Sequence, residues 1–393
     1  MDNKVSRGVR LLTRATAVRW FGWGLGEAFL PVFFLLFMKS FLGVGLLASV
    51  YNVFFFFSIP FASFLADKIH ARTMILAALI LYIFIGLGYF TAGLFGMAIF
   101  LFIARAINGV SYSLDQVGRE TYIIRHTPKK EESWIFGRFD LIANFWWMFA
   151  VVIGIFAVKY VPINWLLLAI VPTSIIAFFM VLRMKGRRHI RKSKTSFFGV
   201  YKKFFNEIKN FSKGLKLLAV MYFTFGVISS IVYFFTPTIS YAHGGSLVKS
   251  VIIILAYNLP TMFGELLGKI ADKKKEATYF AGVLFIALAV LGLMFLKDYY
   301  FILALVFLIS SVFELFSLTN KGVIARITDP THLGETDGSL NAIGSLGAVV
   351  GPIFFGLMID HVSISAAYIA VVGGILLLSF LILKRGRYLK GEK

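Results

Sequence analysis

The chain of 393 residues is 59% hydrophobic and only 15% charged, with 44 Phe and a mean hydropathy of +0.83, whereas an ordinary globular domain is about 45–50% apolar and about a quarter charged. That balance excludes a string of soluble domains and points to a chain made mostly of membrane spans. The absence of cysteine excludes disulfides, thiolate metal sites and cysteine nucleophiles, and the net charge of +21 sits between apolar runs, which favours a lipid bilayer over nucleic acid as the partner.

In chain order, twelve runs of about 20 residues are predicted as transmembrane helices, at about 18–38, 43–66, 73–92, 95–117, 139–158, 163–182, 217–240, 247–270, 277–296, 300–320, 338–359 and 365–384. About 20 residues at 1.5 Å each cross a hydrocarbon core of about 30 Å. The runs are continuous, not ten-residue alternating segments, so the expected architecture is helical and not a β-barrel. The first run is interrupted by Glu27, is too long for a signal peptide and lacks a small-residue cleavage site, so it is read as a retained first helix.

Lys and Arg set the expected orientation. With the N-terminus inside, 35 of the 40 fall in inner segments, four (Lys39, Lys159, Lys249 and Lys297) fall in outer loops, and Arg105 lies inside the fourth span. By the positive-inside rule this places both termini in the cytoplasm, with an even number of spans in an integral cell membrane. The longest connection, 183–216, separates a bundle at 1–182 from a second at 217–393. Within it Phe197, Tyr201, Phe204, Ile208, Phe211 and Leu215 recur at helical spacing with Lys202, Lys203, Lys209 and Lys213 between them. That pattern predicts a basic amphipathic helix on the inner leaflet; a solvated linker packed on the bundle is the other reading.

The two halves repeat one another. Ser63-Phe64-Leu65-Ala66-Asp67-Lys68-Ile69-His70-Ala71-Arg72 returns as Gly268-Lys269-Ile270-Ala271-Asp272-Lys273, each copy preceded by a Tyr-Asn pair, Tyr51-Asn52 and Tyr257-Asn258. Arg125 stands twelve residues before Gly137, and Arg326 twelve before Gly338. Internal repetition of this kind marks transporter folds with a binding site at the repeat interface.

On these residues the chain resembles the major facilitator superfamily of secondary transporters over essentially its whole length. The family motif between helices 2 and 3, Gly-x-Leu-Ala-Asp-Arg-x-Gly-Arg-Arg, is met by Leu65, Ala66, Asp67, Lys68 and Arg72, with departures at Ser63, His70 and Ala71. The helix 4 motif, Leu-x-x-x-Arg-x-x-Gln-Gly, is met by Leu101, Arg105, Asn108 and Gly109, with Asn for Gln. The resemblance implies an all-α membrane protein of 12 transmembrane helices, arranged as two pseudo-symmetric six-helix bundles around a central cavity. It also implies a cytoplasmic gate at Asp67, Lys68 and Arg72, echoed by Asp272 and Lys273, which acts on conformation and does not touch solute. Helix termination under the positive-inside rule is the plainer reading of both copies.

Glu27 in the first span and Arg105 in the fourth are charges that no loop explains. An ionised side chain inside a span costs at least about 2.5–3.5 kcal/mol on insertion scales, so such charges face the bundle interior and pair. The resemblance makes helices 1 and 4 neighbours at the cavity, and Glu27 is paired with Arg105 either as a proton-coupling site or as a permanent structural ion pair. Glu314 is the second candidate for contact with proton or solute, with a satisfied structural acid as the alternative. Glu265 is assigned to the gate, and Asp115, Arg119, Glu120 and Asp140 to a charge network at helix ends. Asn108, Asn144, Trp147, Tyr257, Asn258 and Asn341, with Asn52, Trp146 and Tyr233, are the polar and aromatic candidates for the cavity wall. Gly344, Gly347, Gly351, Pro352 and Gly356 form a small-residue seam suited to packing and bending.

No His-Glu-x-x-His, Gly-x-Ser-x-Gly or phosphate-loop motif occurs, so an enzyme is not expected and ATP-driven transport by this chain alone is excluded. The expected function is alternating-access transport of a small organic solute with protons as the coupling ion, no other cofactor, and a monomer as the working form. A multidrug or lipid-like amphiphile exporter is the alternative, weakened because the fifth span offers only Gly154 where that branch carries a Gly-Pro-rich motif. An intramembrane enzyme is the different-class alternative.

Overall fold

The computed structural model describes residues 6–127, 132–184, 197–264, 267, 275–295, 298–328, 333–385 and 388–389. These residues are all-helical. The helices are α1 (Arg7–Glu27), α2 (Leu30–Met38), α3 (Phe41–Lys68), α4 (Ala71–Phe95), α5 (Ala98–His126), α6 (Glu132–Ala157), α7 (Ile163–Leu168), α8 (Ile170–Leu182), α9 (Phe197–Lys209), α10 (Lys213–Ala242) and α11 (Leu247–Asn258), which runs into a 3₁₀ turn at Leu259–Phe263. They continue as α12 (Lys275–Phe295), α13 (Tyr299–Ile327), α14 (Leu333–His361) and α15 (Ile364–Arg385). Among the described residues eight helices are long and apolar enough to cross a membrane, and nine if α1 and α2, bent by 42° at their break, form one span.

Short polar residues start four of these helices. The Ser6, Ser212 and Ser246 hydroxyls and the Asp298 carboxylate each accept a hydrogen bond from the amide three residues on, which satisfies one of the amides a helix start leaves open. Gly96, at φ 67°, ends α4 in the left-handed region. Three helices carry an internal proline, Pro60, Pro237 and Pro352, tolerated in spans where neighbours re-satisfy the freed backbone.

The chain forms two compact units, residues 1–33 with 53–203 and residues 34–52 with 204–393. In the first, α1 packs on α6 and α8, and α4 packs on α5 and α8. In the second, α10 lies along α14, and α12 packs on α13 and α15. Residues 41–52 of α3 lie against α14. The Ser49 hydroxyl donates to the Val349 carbonyl at 2.7 Å, Asn52 Nδ2 reaches the Ala348 carbonyl at 3.3 Å, and the Asp360 carboxylate accepts from the Phe41 and Leu42 amides at 3.1 and 2.8 Å. A carboxylate on two amides at a helix start is stabilised by both hydrogen bonds and dipole. Asn52, read from sequence as part of the cavity wall, is thus a strut between helices.

The glycines of α14 serve close packing. A Cβ at Gly226 of α10 would collide with the Gly344 carbonyl, and one at Gly347 with the Phe223 carbonyl. Gly226→Ala is therefore expected to destabilise the second unit by about 1–3 kcal/mol through overpacking. Gly373→Ala, where an added Cβ meets nothing within 4 Å, is expected to keep or raise the melting temperature in detergent. Equal midpoints for the two variants would contradict the close approach.

Outward faces of both units are apolar. Phe145 and Phe149 on α6 are 50% and 46% exposed, and Leu377, Phe380 and Leu383 on α15 are 61%, 58% and 65% exposed. Faces of this kind suit hydrocarbon as the surrounding solvent. The chain is an integral, multi-pass membrane protein.

Candidate functional site

The first unit is organised around the break between α1 and α2. Pro31 lacks an N–H, and its ring crowds the carbonyl four residues back, which is that of Glu27, so the helix stops there and restarts bent. The break leaves Glu27 as the last residue of α1. Its Oε2 accepts a hydrogen bond from Trp147 Nε1 of α6 at 2.8 Å, and the positive charges of Arg105 and, more weakly, Arg19 act on it. Arg105 and Asn108 on α5 are each 5% exposed and face the fully buried Tyr89 of α4. A carboxylate removed from water needs such partners, because its desolvation costs several kcal/mol.

Eight residues earlier on α1, about 12 Å along the axis, Arg19 meets Asp115. Arg19 Nη2 lies 2.9 Å and Arg119 Nε 3.0 Å from the same Asp115 Oδ2. Neither approach is aligned as a hydrogen bond, so the contacts are chiefly electrostatic. The Tyr82 hydroxyl donates to that oxygen at 3.5 Å, and the Arg19 guanidinium lies 4.7 Å from the Tyr82 ring centroid. Arg19, Asp115 and Arg119 are 3%, 1% and 8% exposed. Two guanidiniums on one carboxylate make a buried triad with a formal charge of +1.

Beside the triad a cavity of about 280 Å³ opens among α1, α5 and α6, near the lower end of the range for small-molecule sites. Arg119, Glu120, Gln116, Asp140, Asn144 and Tyr112 supply its polar wall, and Trp20 and Phe139 its aromatic one. Gln116 Nε2 donates to Glu120 Oε1 at 3.1 Å. The wall offers cationic and neutral donors, carboxylate acceptors and flat apolar surface. It can hold a solute carrying several hydrogen-bonding groups on a small apolar frame.

The second unit has a comparable break. Pro260 follows the end of α11, and polar groups around it hydrogen-bond locally. Ser310 of α13 donates to the Tyr257 carbonyl, Asn258 Nδ2 to the Ile254 carbonyl at 2.8 Å, and Thr261 to the Asn258 carbonyl at 2.8 Å. The Tyr257 hydroxyl is 2.7 Å from the Ser229 hydroxyl of α10, stacks edge-on against Tyr233 and feels the charge of Glu314. Asn341 is exposed and donates to Asp337 at 3.2 Å.

Glu27, Arg105, Asn108 and Trp147 are therefore brought together, Asn144 joins the adjoining cavity, and Tyr257 sits near Glu314 with Asn258 at the second break. Trp146 instead lies at the surface, 39% exposed. At the predicted gate, Lys68 lies over the Phe64 ring at 5.2 Å, Arg72 donates to the Leu182 carbonyl at 2.6 Å, and Arg125 donates to the Ala66 carbonyl at 3.0 Å. Among the described residues Asp67 is half-buried with no hydrogen bond or ion pair. Glu265, Asp272 and Lys273 lie outside the described residues. Sequence reasoning missed Arg19, Tyr82 and Tyr89. Arg19 passed for the end of a cytoplasmic segment because the apolar window begins near residue 18, whereas the helix begins at Arg7. The four-residue spacing of Asp115 and Arg119 was the available signal for the triad.

The family model described as Major Facilitator Superfamily matches residues 15–320 and 266–391. No curated protein matches the sequence. Among solved structures, the nucleoside transporter NupG is 13% identical with a TM-score of 0.78, covering 98% of this chain and 100% of that one. A D-xylose-proton symporter is 13% identical with a TM-score of 0.77, over 96% and 97%. The human organic anion transporter MFSD10 is 14% identical with a TM-score of 0.69, over 96% and 99%.

Proposed function

Because the chain belongs to the major facilitator superfamily, and is a transporter and not an enzyme, we propose that it moves a small, hydrogen-bonding organic solute by alternating access, with protons as the coupling ion. The observation that carries this reading is the carboxylate of Glu27 at a broken helix, held by Trp147 and in the field of Arg105 and Arg19. Broken helices near a solute site are where transporters place coupling groups. Arg105 favours the ionised form of Glu27 while the two stay close, and a rearrangement that parts them removes that support, so the carboxylate takes up a proton more readily. Proton uptake is thereby tied to conformation.

The working architecture is twelve spans in two six-helix halves. Taken as crossings, the eight clear spans, the bent α1–α2 pair, α5 and the shorter apolar helices at Leu247–Phe263 and Gly282–Met294 would make up that number. Both termini face the cytoplasm by the distribution of Lys and Arg. Asp67, Lys68 and Arg72 with Asp272 and Lys273 act as the cytoplasmic gate, and Glu314, Tyr257, Asn258 and Asn341 contribute the second half of the solute path. The lining of the cavity at Arg119 and Asn144 favours a polar solute over a lipid-like amphiphile. Nucleoside, pentose and organic anion, the solutes named for the three similar structures, all carry the hydrogen-bonding groups that such a wall would engage.

The test is uptake by proteoliposomes across a panel of nucleosides, sugars and organic anions with a pH dye inside. Solute-driven acidification or alkalinisation is the expected result. Transport without any pH signal would replace the coupled reading by a uniporter.

A further inference from the structure

Helix α9 turns toward the protein the stripe that hydropathy assigns to lipid. Tyr201, Phe204 and Ile208 are half-buried, and Phe211 and Leu215 beyond the helix end are 5% and 8% exposed. The Tyr201 hydroxyl donates to the Phe57 carbonyl of α3 at 2.8 Å. Phe57 stands eleven residues before the Lys68 end of α3, or about 16 Å along its axis, farther than a tyrosine side chain reaches. The start of α9 therefore runs alongside the span and not beyond its end. Phe54 and Phe57, 43% and 54% exposed, are the outward face of α3 at this level, so α9 is seated at the lipid boundary.

The exposed face of α9 carries Phe198, Lys202, Phe205 and Lys209, spaced four, three and four apart and so gathered within about 60° of arc. Phe198 is 82% and Phe205 50% exposed, and both lysines are exposed between them. Water is a poor solvent for two aromatic rings, and hydrocarbon a poor one for two ammonium groups. A bilayer surface suits both, because the rings enter the acyl region while each lysine carries its charge on a flexible four-carbon stem to the phosphates. An acidic protein groove would match the same charges, yet it would have to displace lipid from the side of α3. We infer that this face of α9 is a docking surface for anionic lipid, in the leaflet at the Lys68 end of α3, with Phe198 and Phe205 among the acyl chains and Lys202 and Lys209 at the headgroups. This rests on the chain being an integral membrane protein and on no assignment of solute or coupling.

The sequence has no cysteine, so Phe205→Cys carries a single environment-sensitive fluorophore on the full-length protein. The labelled protein is placed in nanodiscs of phosphatidylcholine and phosphatidylglycerol, with one or the other lipid brominated on its acyl chains. Quenching by both brominated lipids is expected, with phosphatidylglycerol preferred at the label by about thirtyfold. K202Q/K209Q is expected to bring that preference to about onefold, and K202R/K209R to keep it. Absence of quenching by either lipid would place the face in water and overturn the assignment, as would equal quenching by the two lipids or an undiminished preference in the Gln variant. Shielding of the label by added polyglutamate and not by lipid would assign the face to a protein partner and also overturn it. If the Phe205→Cys protein does not fold, Phe198→Cys on the same stripe takes its place, with the same expected and overturning results. Since no transport is measured, failure of the solute assay leaves this result standing.

Discussion

Glu27→Gln is expected to abolish solute-driven proton movement and concentrative uptake while the protein folds and inserts normally. Gln has nearly the same volume, and its amide oxygen can still accept from Trp147, so the contact at 2.8 Å survives. What disappears is a group able to carry a negative charge in one state and a proton in the other. One proton crossing with 100 mV releases about 2.3 kcal/mol, which supports roughly fiftyfold accumulation. The variant is expected to fall to simple equilibration, about onefold. Proteoliposome uptake with an internal pH dye reads both quantities, and counterflow exchange, which needs no proton gradient, is expected to persist. A variant that still accumulates solute against its gradient would remove Glu27 from the coupling role and leave it as a structural acid.

Asp115→Asn is expected to produce the largest loss of stability of any single change in the first unit. Asp115 is 1% exposed, and its Oδ2 is shared by Arg19 and Arg119. Neutralising it leaves two buried guanidiniums without the carboxylate they share, and only the more distant Glu120 and Glu27 to offset them. Breaking a buried pair in this way costs about 3–5 kcal/mol, and here two cations are left instead of one. The melting temperature in detergent is the measurement. Removing one cation as well, in Asp115→Asn with Arg119→Gln, is expected to recover part of the loss, because only Arg19 then remains, seated against the Tyr82 ring. An Asp115→Asn protein as stable as wild type would mean that water or another group already satisfies both arginines.

The two effects separate by location along α1. Glu27 lies at a helix break, where the backbone is least constrained and a change of state is cheapest. The Arg19 triad is clamped across α1 and α5 by contacts at 2.9 and 3.0 Å, and Tyr82 ties it to α4. The triad therefore ties α1 to both α4 and α5. The adjoining cavity has Arg119 in its wall.

Much of this protein was legible from its residues alone, because a bilayer imposes rules that a linear pattern can express. Continuous apolar runs must be helices, since every backbone polar group needs an internal partner in lipid, and the described chain is helical throughout. Charges stranded inside those runs must find one another, which singled out Glu27 and Arg105. The repeated Asp67 and Asp272 stretches and the Arg105 motif led to a family whose model the chain matches. Pro31 and Pro260 were equally plain in the sequence, yet the 42° bend at the first and the 3₁₀ turn at the second are seen only in the structure.

Tertiary structure alone decided which partners the charged groups take. Hydropathy windows average over many residues and cannot tell a cytoplasmic arginine from one buried along a helix, so Arg19 was hidden until α1 was seen to begin at Arg7 and pack against α6 and α8. Trp147 and Trp146 are adjacent in sequence and alike in chemistry. One turns inward to Glu27 and the other outward to the surface, because successive residues on a helix point about 100° apart and only the packing of α6 on α1 says which direction is inside. Composition and periodicity determine the solvent, the helices and the family; the direction in which each side chain faces, and therefore which charge meets which, is set by helices that come together from distant parts of the chain.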